Sequence, residues 1–366
     1  MKRLLLLGGG HAHLQVLRGF AAAPPAAAEV TLVSPAPVQT YSGMVPGVVA
    51  GHYAAAAAEI ALRPLAQAAR ARFVQGAAVA LDAATRHVLL ADGRPLPYDV
   101  LSIDTGGVQP REQLPGAREH ALFVRPIDHF VRLWASVPEL AARSSLGVVL
   151  VGGGAAGVEL ALAAAHVLGE RARVSLVTGG GPPLAAHPAA VQKRARHALQ
   201  RLRITVLEEA CTAITARHVE LESGLRLACD APVLATGIAA PPWLRGSGLM
   251  LSDDGFVATG PCLQSLSHPE VFAVGDVASR ADAPRPKSGV YAVRAGPPLA
   301  HNLRAFVAGG ALQAYRPQRL ALNLLACGAQ HAIASWGPLA FEGAWVWRWK
   351  DRIDRAFVEG FRMPPA

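Results

Sequence analysis

Three places in this 366-residue chain hold residues whose types and spacing could do chemistry. Two are glycine turns of one design. Gly8-Gly9-Gly10 follows Leu4-Leu5-Leu6-Leu7, and Gly152-Gly153-Gly154 follows Val148-Val149-Leu150-Val151. Such a turn, set between a buried strand and a helix, lets backbone amides approach a diphosphate at the helix N-terminus. Gly8 and Gly10 allow the bend and the close approach. Gly152, Gly154, Ala155 and Gly157 complete the dinucleotide pattern in the second turn. In the first turn, His13 holds the third motif position and His11 precedes it. Two readings stand: both contact phosphate, or His13 sits at the seam between helix and sheet. Where an acid commonly binds a ribose, at the end of the second strand, the chain carries Ser34 and Thr178. Without an acid at Thr178 nothing repels a 2′-phosphate, so NADH and NADPH both fit that turn. The third place is Gly275-Asp276, at the end of the apolar run Val271-Phe272-Ala273-Val274 and ahead of a segment with helical character.

The elements that must position these residues are duplicated. Val30-Thr31-Leu32-Val33-Ser34 stands to the first turn as Val174-Ser175-Leu176-Val177-Thr178 stands to the second, giving two strand–helix–strand units in register. Further on, Arg72-Phe73-Val74 matches Arg203-Ile204-Thr205, His87-Val88 matches His218-Val219, and Asp99 matches Asp230. Hairpin turns are expected at Asp92-Gly93 and Ser223-Gly224. A last apolar strand leaves each copy through Thr105-Gly106 or Thr236-Gly237, which are counted with the cofactor-binding residues. Agreement across separate blocks argues for duplication over chance glycines. The expected fold class is α/β, with two Rossmann-like dinucleotide-binding domains, one inserted in the other, and a C-terminal α+β cap. The expected boundaries are 1–113 with 250–310, then 114–249, then 311–366.

Composition narrows the function. The net charge of +9 comes almost wholly from arginine; Lys2, Lys193, Lys287 and Lys350 are the only lysines. Basic residues are spread along the chain without an interleaved aromatic stripe before the C-terminus, which argues against nucleic acid as a partner. The apolar run after Met1-Lys2-Arg3 stops at Gly8, too short for a signal peptide, and no stretch of 18 apolar residues occurs. Cys211, Cys229, Cys262 and Cys327 show neither CxxC nor metal spacing, so no metal site is expected and a reducing cytoplasm is.

The strand–Gly275-Asp276–helix block, taken with the two glycine turns, resembles the pyridine nucleotide-disulphide oxidoreductase superfamily, the two-dinucleotide-domain flavoproteins. By that resemblance the first turn holds FAD and the second NAD(P)H, and Gly275 and Asp276 close the FAD site with the aspartate on the ribitol. Within the superfamily, Gly8-Gly9-Gly10-His11-Ala12-His13, Tyr41 to Gly47, Pro284 to Val290 and Trp347 to Asp354 resemble the flavoprotein module found fused to selenide, water dikinase. Type II NADH:quinone and sulfide:quinone oxidoreductases are similar at a greater distance. The resemblance implies that Tyr41, Ser42, Met44 and Pro46 line the isoalloxazine and that Gly289 and Val290 belong to the same site. The redox cysteine pair of the disulfide reductases is missing, since no cysteine precedes Cys211.

What remains is flavin and nicotinamide chemistry without a protein thiol, with hydride passing from NAD(P)H to flavin N5 and on to a small-molecule acceptor, quinone among the candidates. Glu159 matches a glutamate that type II NADH dehydrogenases place beside the stacked rings; otherwise it is a carboxylate favoured by a helix N-terminus. Lys287 either stabilises reduced anionic flavin or is a solvated loop lysine. The rival functions are oxidation of sulfide or a selenium compound with electrons passed to quinone, and a non-enzymatic flavin redox sensor. Trp345, Trp347 and Trp349 alternate as on a strand, and Trp349, Ile353, Phe357 and Phe361 recur as on a helix flanked by Arg348, Lys350, Arg352 and Arg355. This segment either meets the inner face of the cell membrane peripherally or packs on its own domain or a second copy.

Overall fold

The computed structural model describes residues 1–363. Both copies fold as five-stranded parallel sheets. The first runs Val271–Ala273, Val100–Ile103, Lys2–Leu7, Ala28–Ser34, Ala71–Gln75 across the sheet. The second runs Leu122–Phe123, Ala231–Leu234, Leu146–Val151, Ala172–Val177, Thr205–Leu207 in the same relative order. Parallel strands covered on both faces must be apolar throughout, which is why Leu4–Leu7 and Leu146–Val151 are uninterrupted hydrophobic runs and wholly buried. Each sheet takes one edge strand from outside its own repeat. Leu122–Phe123 joins the second before its repeat begins, and Val271–Ala273 returns to the first after the second has ended.

Each copy also carries a three-stranded antiparallel layer. The expected hairpins are present, with Gly93 at φ +83° and Gly224 at φ +85°, each donating its N–H back three residues. The helices after the turns are His11–Ala22 and Ala155–Leu168. The first packs along the 20-residue helix Gly289–Ala308, and the contact is close enough that a Cβ on Gly296 would lie 2.4 Å from Gln15 Cβ.

The structure corrects three expectations. Leu244 and Leu249, placed with the second domain, pack with Leu81 and Val257 under the first sheet, and Ala83 N–H donates to Ser247 O. Their apolar side chains have their burial there, so the chain returns to the first body before residue 249. Gly275-Asp276 open a short 3₁₀ turn, Gly275–Val277, which is followed by the strand Ala278–Arg280, with the helix beginning only at Gly289. The tryptophan alternation near the C-terminus is not a strand. Leu322–Ala326, Ala332–Trp336 and Leu339–Gly343 form an antiparallel sheet, and the helix Ala344–Glu359 begins immediately after Gly343, whose φ of +144° turns the chain. Trp345, Trp349 and Ile353 therefore share its exposed face, while Phe357 and Phe361 turn inward. Among the described residues no helix is long and apolar enough to cross a membrane.

Candidate functional site

The first glycine turn is built around a carboxylate. Asp104 sits at the exit of the strand Val100–Ile103, buried, and one of its oxygens accepts from the Ala12 and His13 N–H groups at 2.9 Å each. Gly10 N–H donates to the Asp104 carbonyl. A Cβ on Gly10 would lie 2.4 Å from the Asp104 carboxyl carbon, and one on Gly8 would lie 2.4 Å from its carbonyl oxygen. Both glycines are thus required by Asp104 itself as well as by close approach to a ligand. Burial drives the Asp104 carboxyl up to about 7, against the two amide bonds that favour its charged form and with the help of Asp276 nearby.

His11 and His13 part company. The His13 ring is buried with Nδ1 2.6 Å from Gly8 O and Nε2 2.8 Å from Ser102 Oγ. A carbonyl can only accept, so Nδ1 carries the proton and Nε2 accepts from the serine hydroxyl. That places His13 at the seam and leaves it no free nitrogen. The second copy solves the same problem with Gly157, where a Cβ would lie 1.9 Å from Gly152 O, the counterpart of Gly8 O. His11 Nε2, by contrast, is buried with no partner, its ring edge-on to Tyr41 at 5.5 Å. Burial lowers the His11 imidazole to about 4, with Asp276 raising it and Arg125 lowering it.

Around this turn gather Asp276, Gly275, Ser42 and Gly289. A Cβ on Gly275 would meet the Asp104 carboxyl at 2.7 Å, and one on Gly289 would stand 3.8 Å from Ser42 Oγ and 3.9 Å from His11 Cε1. Asp276 pairs with Arg125 at 3.0 Å. Tyr41 stacks on Phe357 of the last helix at 4.3 Å. Met44 is fully buried in the core, and Pro46 lies in the short helix Val45–Val49. Ser34 is buried with its hydroxyl 3.5 Å from the position of a Cβ on Gly9. Thr105 is exposed, Gly106 brings the chain past Arg125, and Val290 opens the helix Gly289–Ala308. Lys287 reaches the carbonyl of Ala278 and lies 3.8 Å over the Phe256 ring; burial lowers its amine to about 8.

The second turn is open where the first is filled. Nothing stands within 4 Å of a Cβ on Gly154, and Ala235 replaces Asp104. Ala155 starts the helix, Thr236 Oγ1 accepts from Gln109, and Gly237 has open space beside it. The Thr178 hydroxyl donates to Gly181 O. Glu159, on this helix, is half-buried against the cap: its Oε1 accepts from Ala326 N–H at 2.7 Å. Burial raises its carboxyl to about 7, with Lys350 and the Ala326 amide opposing and Asp354 adding. Lys350 in turn pairs with Asp354 at 2.7 Å and donates to Gly43 O at 2.6 Å. The last helix thereby holds the first body through a buried ion pair, while the cap strand Leu322–Ala326 holds Glu159 of the second.

A model of the pyridine nucleotide-disulphide oxidoreductases matches residues 2–296. The chain belongs to that family. It is 31% identical over 276 residues to demethylphylloquinone reductase NdbB of Synechocystis sp., covering 72% of this chain and 68% of that protein. It is 25% identical over 293 residues to ferroptosis suppressor protein 1 of Xenopus tropicalis, covering 75% and 73%. In fold it is similar to the sulfide:quinone oxidoreductase of Aquifex aeolicus, with a TM-score of 0.83 at 19% identity over 99% of this chain and 92% of that one. NDH2 of Plasmodium falciparum in complex with NADH gives a TM-score of 0.81 at 14% identity over 98% and 97%.

Membership makes this an oxidoreductase, and family and fold imply binding of FAD and NAD(P)H. The residues fit a flavin dinucleotide: a first turn that admits no Cβ, a buried histidine nitrogen without a partner, and Asp276 beside it. They do not repeat the disulfide of the family's name, for all four cysteines are free. Burial holds the Cys229 and Cys327 thiols near 12 and Cys211 near 11, protonated and unreactive. Two functional residues were not visible in the motifs. Asp104 has a signal after all, since the aligned copies differ there, acid against Ala235. Arg125 has none; only the fold brings it to Asp276.

Proposed function

We propose that this protein is an FAD-dependent NAD(P)H:quinone oxidoreductase working without a protein thiol. Residues 1–113 with about 240–310 would hold FAD, 114 to about 240 NAD(P)H, and 311–366 would form the cap, of which 364–366 lie outside the described residues. FAD at the first turn would supply two-electron chemistry, taking hydride from the nicotinamide and returning electrons to the acceptor. The chain's part is to orient and to manage protons. Quinone reduction by NAD(P)H consumes a proton from solution. Glu159 is the observation that carries the reading: a half-buried carboxyl that accepts from Ala326 N–H where the NAD(P)H body meets the cap and is raised to about 7, able to hold or release a proton near neutral pH. The name of the Synechocystis relative supports a quinone as acceptor.

The test is anaerobic. Stoichiometric NADH or NADPH is expected to bleach the flavin within seconds, and a short-chain naphthoquinone to restore its colour. Bleaching by sulfide or selenide but by neither nicotinamide would hand the function to the chalcogen reading. No bleaching by any of them would leave the redox sensor.

A quinone acceptor is lipid-soluble, and the cap carries a matching surface. Trp345, Trp349 and Ile353 are exposed on one face of the last helix beside Arg348 and Arg352, continuous with exposed Phe341 and Leu339. Aromatic rings with cations suit an anionic membrane interface. Co-sedimentation with vesicles containing anionic lipid, lost in Trp345→Ser/Trp349→Ser, would support that contact. A dimer disrupted by the same pair, without vesicle binding, would assign the face to a second copy.

A further inference from the structure

At the N-terminal ends of the first sheet, the end opposite its glycine turn, lies a cleft of about 580 Å³ whose wall contains none of the residues assigned to either dinucleotide. Small-molecule sites have volumes of roughly 300–1,000 Å³. The floor is the sheet face bearing Leu5 and Thr31, which are neighbours in register. Further along the strands that face is covered by the antiparallel layer, and the far wall is Leu96 and Pro97 of the layer's outer strand, Pro95–Pro97.

The second copy closes the same place. Arg3 N–H donates to Asp99 Oδ2 at 2.7 Å and Gly147 N–H to Asp230 Oδ2 at 2.8 Å, so the two central strands begin alike. At Gly147 the layer comes down on the sheet, for a Cβ there would lie 2.6 Å from Ala228 O. In the first copy Arg3 carries a side chain at that position, held on Asp99 through Nε at 3.1 Å and Nη2 at 2.8 Å. Pro97, the counterpart of Ala228, stands across the open cleft from it. A side chain where the other copy has glycine keeps the layer off the sheet.

The cleft has a charge as well as a shape. Arg70 and Arg72 line it, are exposed, and have no carboxylate within ion-pair distance among the described residues. Thr31, the register partner of Arg72, adds a hydroxyl, and Glu29 is the one acid in the wall. The rest of the wall is apolar. A peptide strand gains no purchase on the layer's edge. Tyr98 N–H donates inward to Arg86 O, and Arg94 O accepts inward from Leu90 N–H, so Pro95 and Pro97 hold the outward positions and offer no N–H. An apolar floor with free guanidinium groups at its side suits a small molecule that is apolar at one end and anionic at the other.

We infer that this cleft is a binding site for a small organic anion, an apolar body on Leu5 and Leu96 carrying an acidic oxygen group that Arg70 and Arg72 hold. It is separate from both dinucleotide turns and does not depend on which acceptor the flavin serves.

Two fluorescent probes test it: anilinonaphthalene sulfonate, and phenylnaphthylamine, which has the same rings without the sulfonate. Both are titrated into the FAD-loaded protein carrying Trp345→Ser/Trp349→Ser, so that the exposed aromatic face of the last helix does not take up the rings. The sulfonate is expected to saturate one site per chain and to bind at least about tenfold more tightly than the amine, since only it makes a charge-assisted hydrogen bond. Adding Arg70→Ser/Arg72→Ser should bring the two probes to equal affinity, with flavin content reporting that the protein is folded. Arg72→Lys keeps the charge and should retain most of the difference, and it decides the matter if the double serine variant does not fold. A sulfonate signal that fails to saturate, equal affinity for the two probes before the arginines are changed, or a preference that survives Arg70→Ser/Arg72→Ser would overturn the site.

Discussion

Asp104 places a titrating charge beneath the turn that is expected to seat a diphosphate. Its carboxyl is raised to about 7 by burial, so it is mostly neutral at pH 6 and mostly ionised at pH 8. Because the folded value lies above the unfolded one, its contribution to stability is full below about pH 4 and is lost as pH rises through 7. The same sign applies to FAD: ionisation sets a carboxylate beside a diphosphate. FAD dissociation, followed by fluorescence of the released flavin, is expected to strengthen steadily between pH 6 and 9. Asp104→Asn keeps an oxygen for both amides and should flatten that dependence; an unchanged slope would refute the role. The two glycines of the second turn should separate just as cleanly. Gly154→Val has open space and should fold normally while raising the NAD(P)H concentration for half-maximal flavin reduction more than tenfold. Gly157→Ala, driven into Gly152 O, should instead lower stability by roughly 1–3 kcal/mol in urea. If Gly154→Val were the less stable of the two, the assignment of roles would be reversed.

At the scale of elements, the last helix is fastened by an ion pair that water hardly reaches. Lys350 and Asp354 are 8% and 4% exposed, and the lysine also holds Gly43 O. Lys350→Met leaves a buried carboxylate without its cation and is expected to cost roughly 3–5 kcal/mol in chemical denaturation. Adding Asp354→Leu should restore most of that loss; no recovery would show that the Gly43 contact dominates. Both strand–helix–strand units were legible in the sequence because each strand is buried on both faces and so leaves an unbroken apolar run. The last helix was only half legible. Its tryptophans alternate from Trp345 to Trp349, a period of two, and only the sharp turn at Gly343 sets them on a helix, with Trp347 half-buried against His52. His13 was legible as a departure from the motif, but its partner Ser102 stands on another strand. Arg125 was silent because its meaning lies wholly in a contact with Asp276, far along the chain.

For the molecule as a whole, the thiols stand apart from the proposed chemistry. Cys211 and Cys229 belong to the core under the second antiparallel layer, and Cys327 is buried in the cap against the second body. Replacing all four cysteines by Ser or Ala is expected to leave NAD(P)H-driven flavin reduction within about twofold of wild type, read by stopped-flow absorbance. If Cys327→Ser alone abolished turnover while the flavin stayed bound, the chalcogen chemistry would take precedence.

The crossed edge strands order the protein's birth. Every strand of the second sheet has been made once Leu234 leaves the ribosome, whereas the first sheet waits for Val271–Ala273, and the helix on its face for Gly289–Ala308. At synthesis rates of about 5–20 residues per second, the strand Val100–Ile103 stands without its outer neighbour for on the order of ten to thirty seconds. During that time the nascent N-terminal half offers an unpaired edge, and the body made later is the one able to fold first.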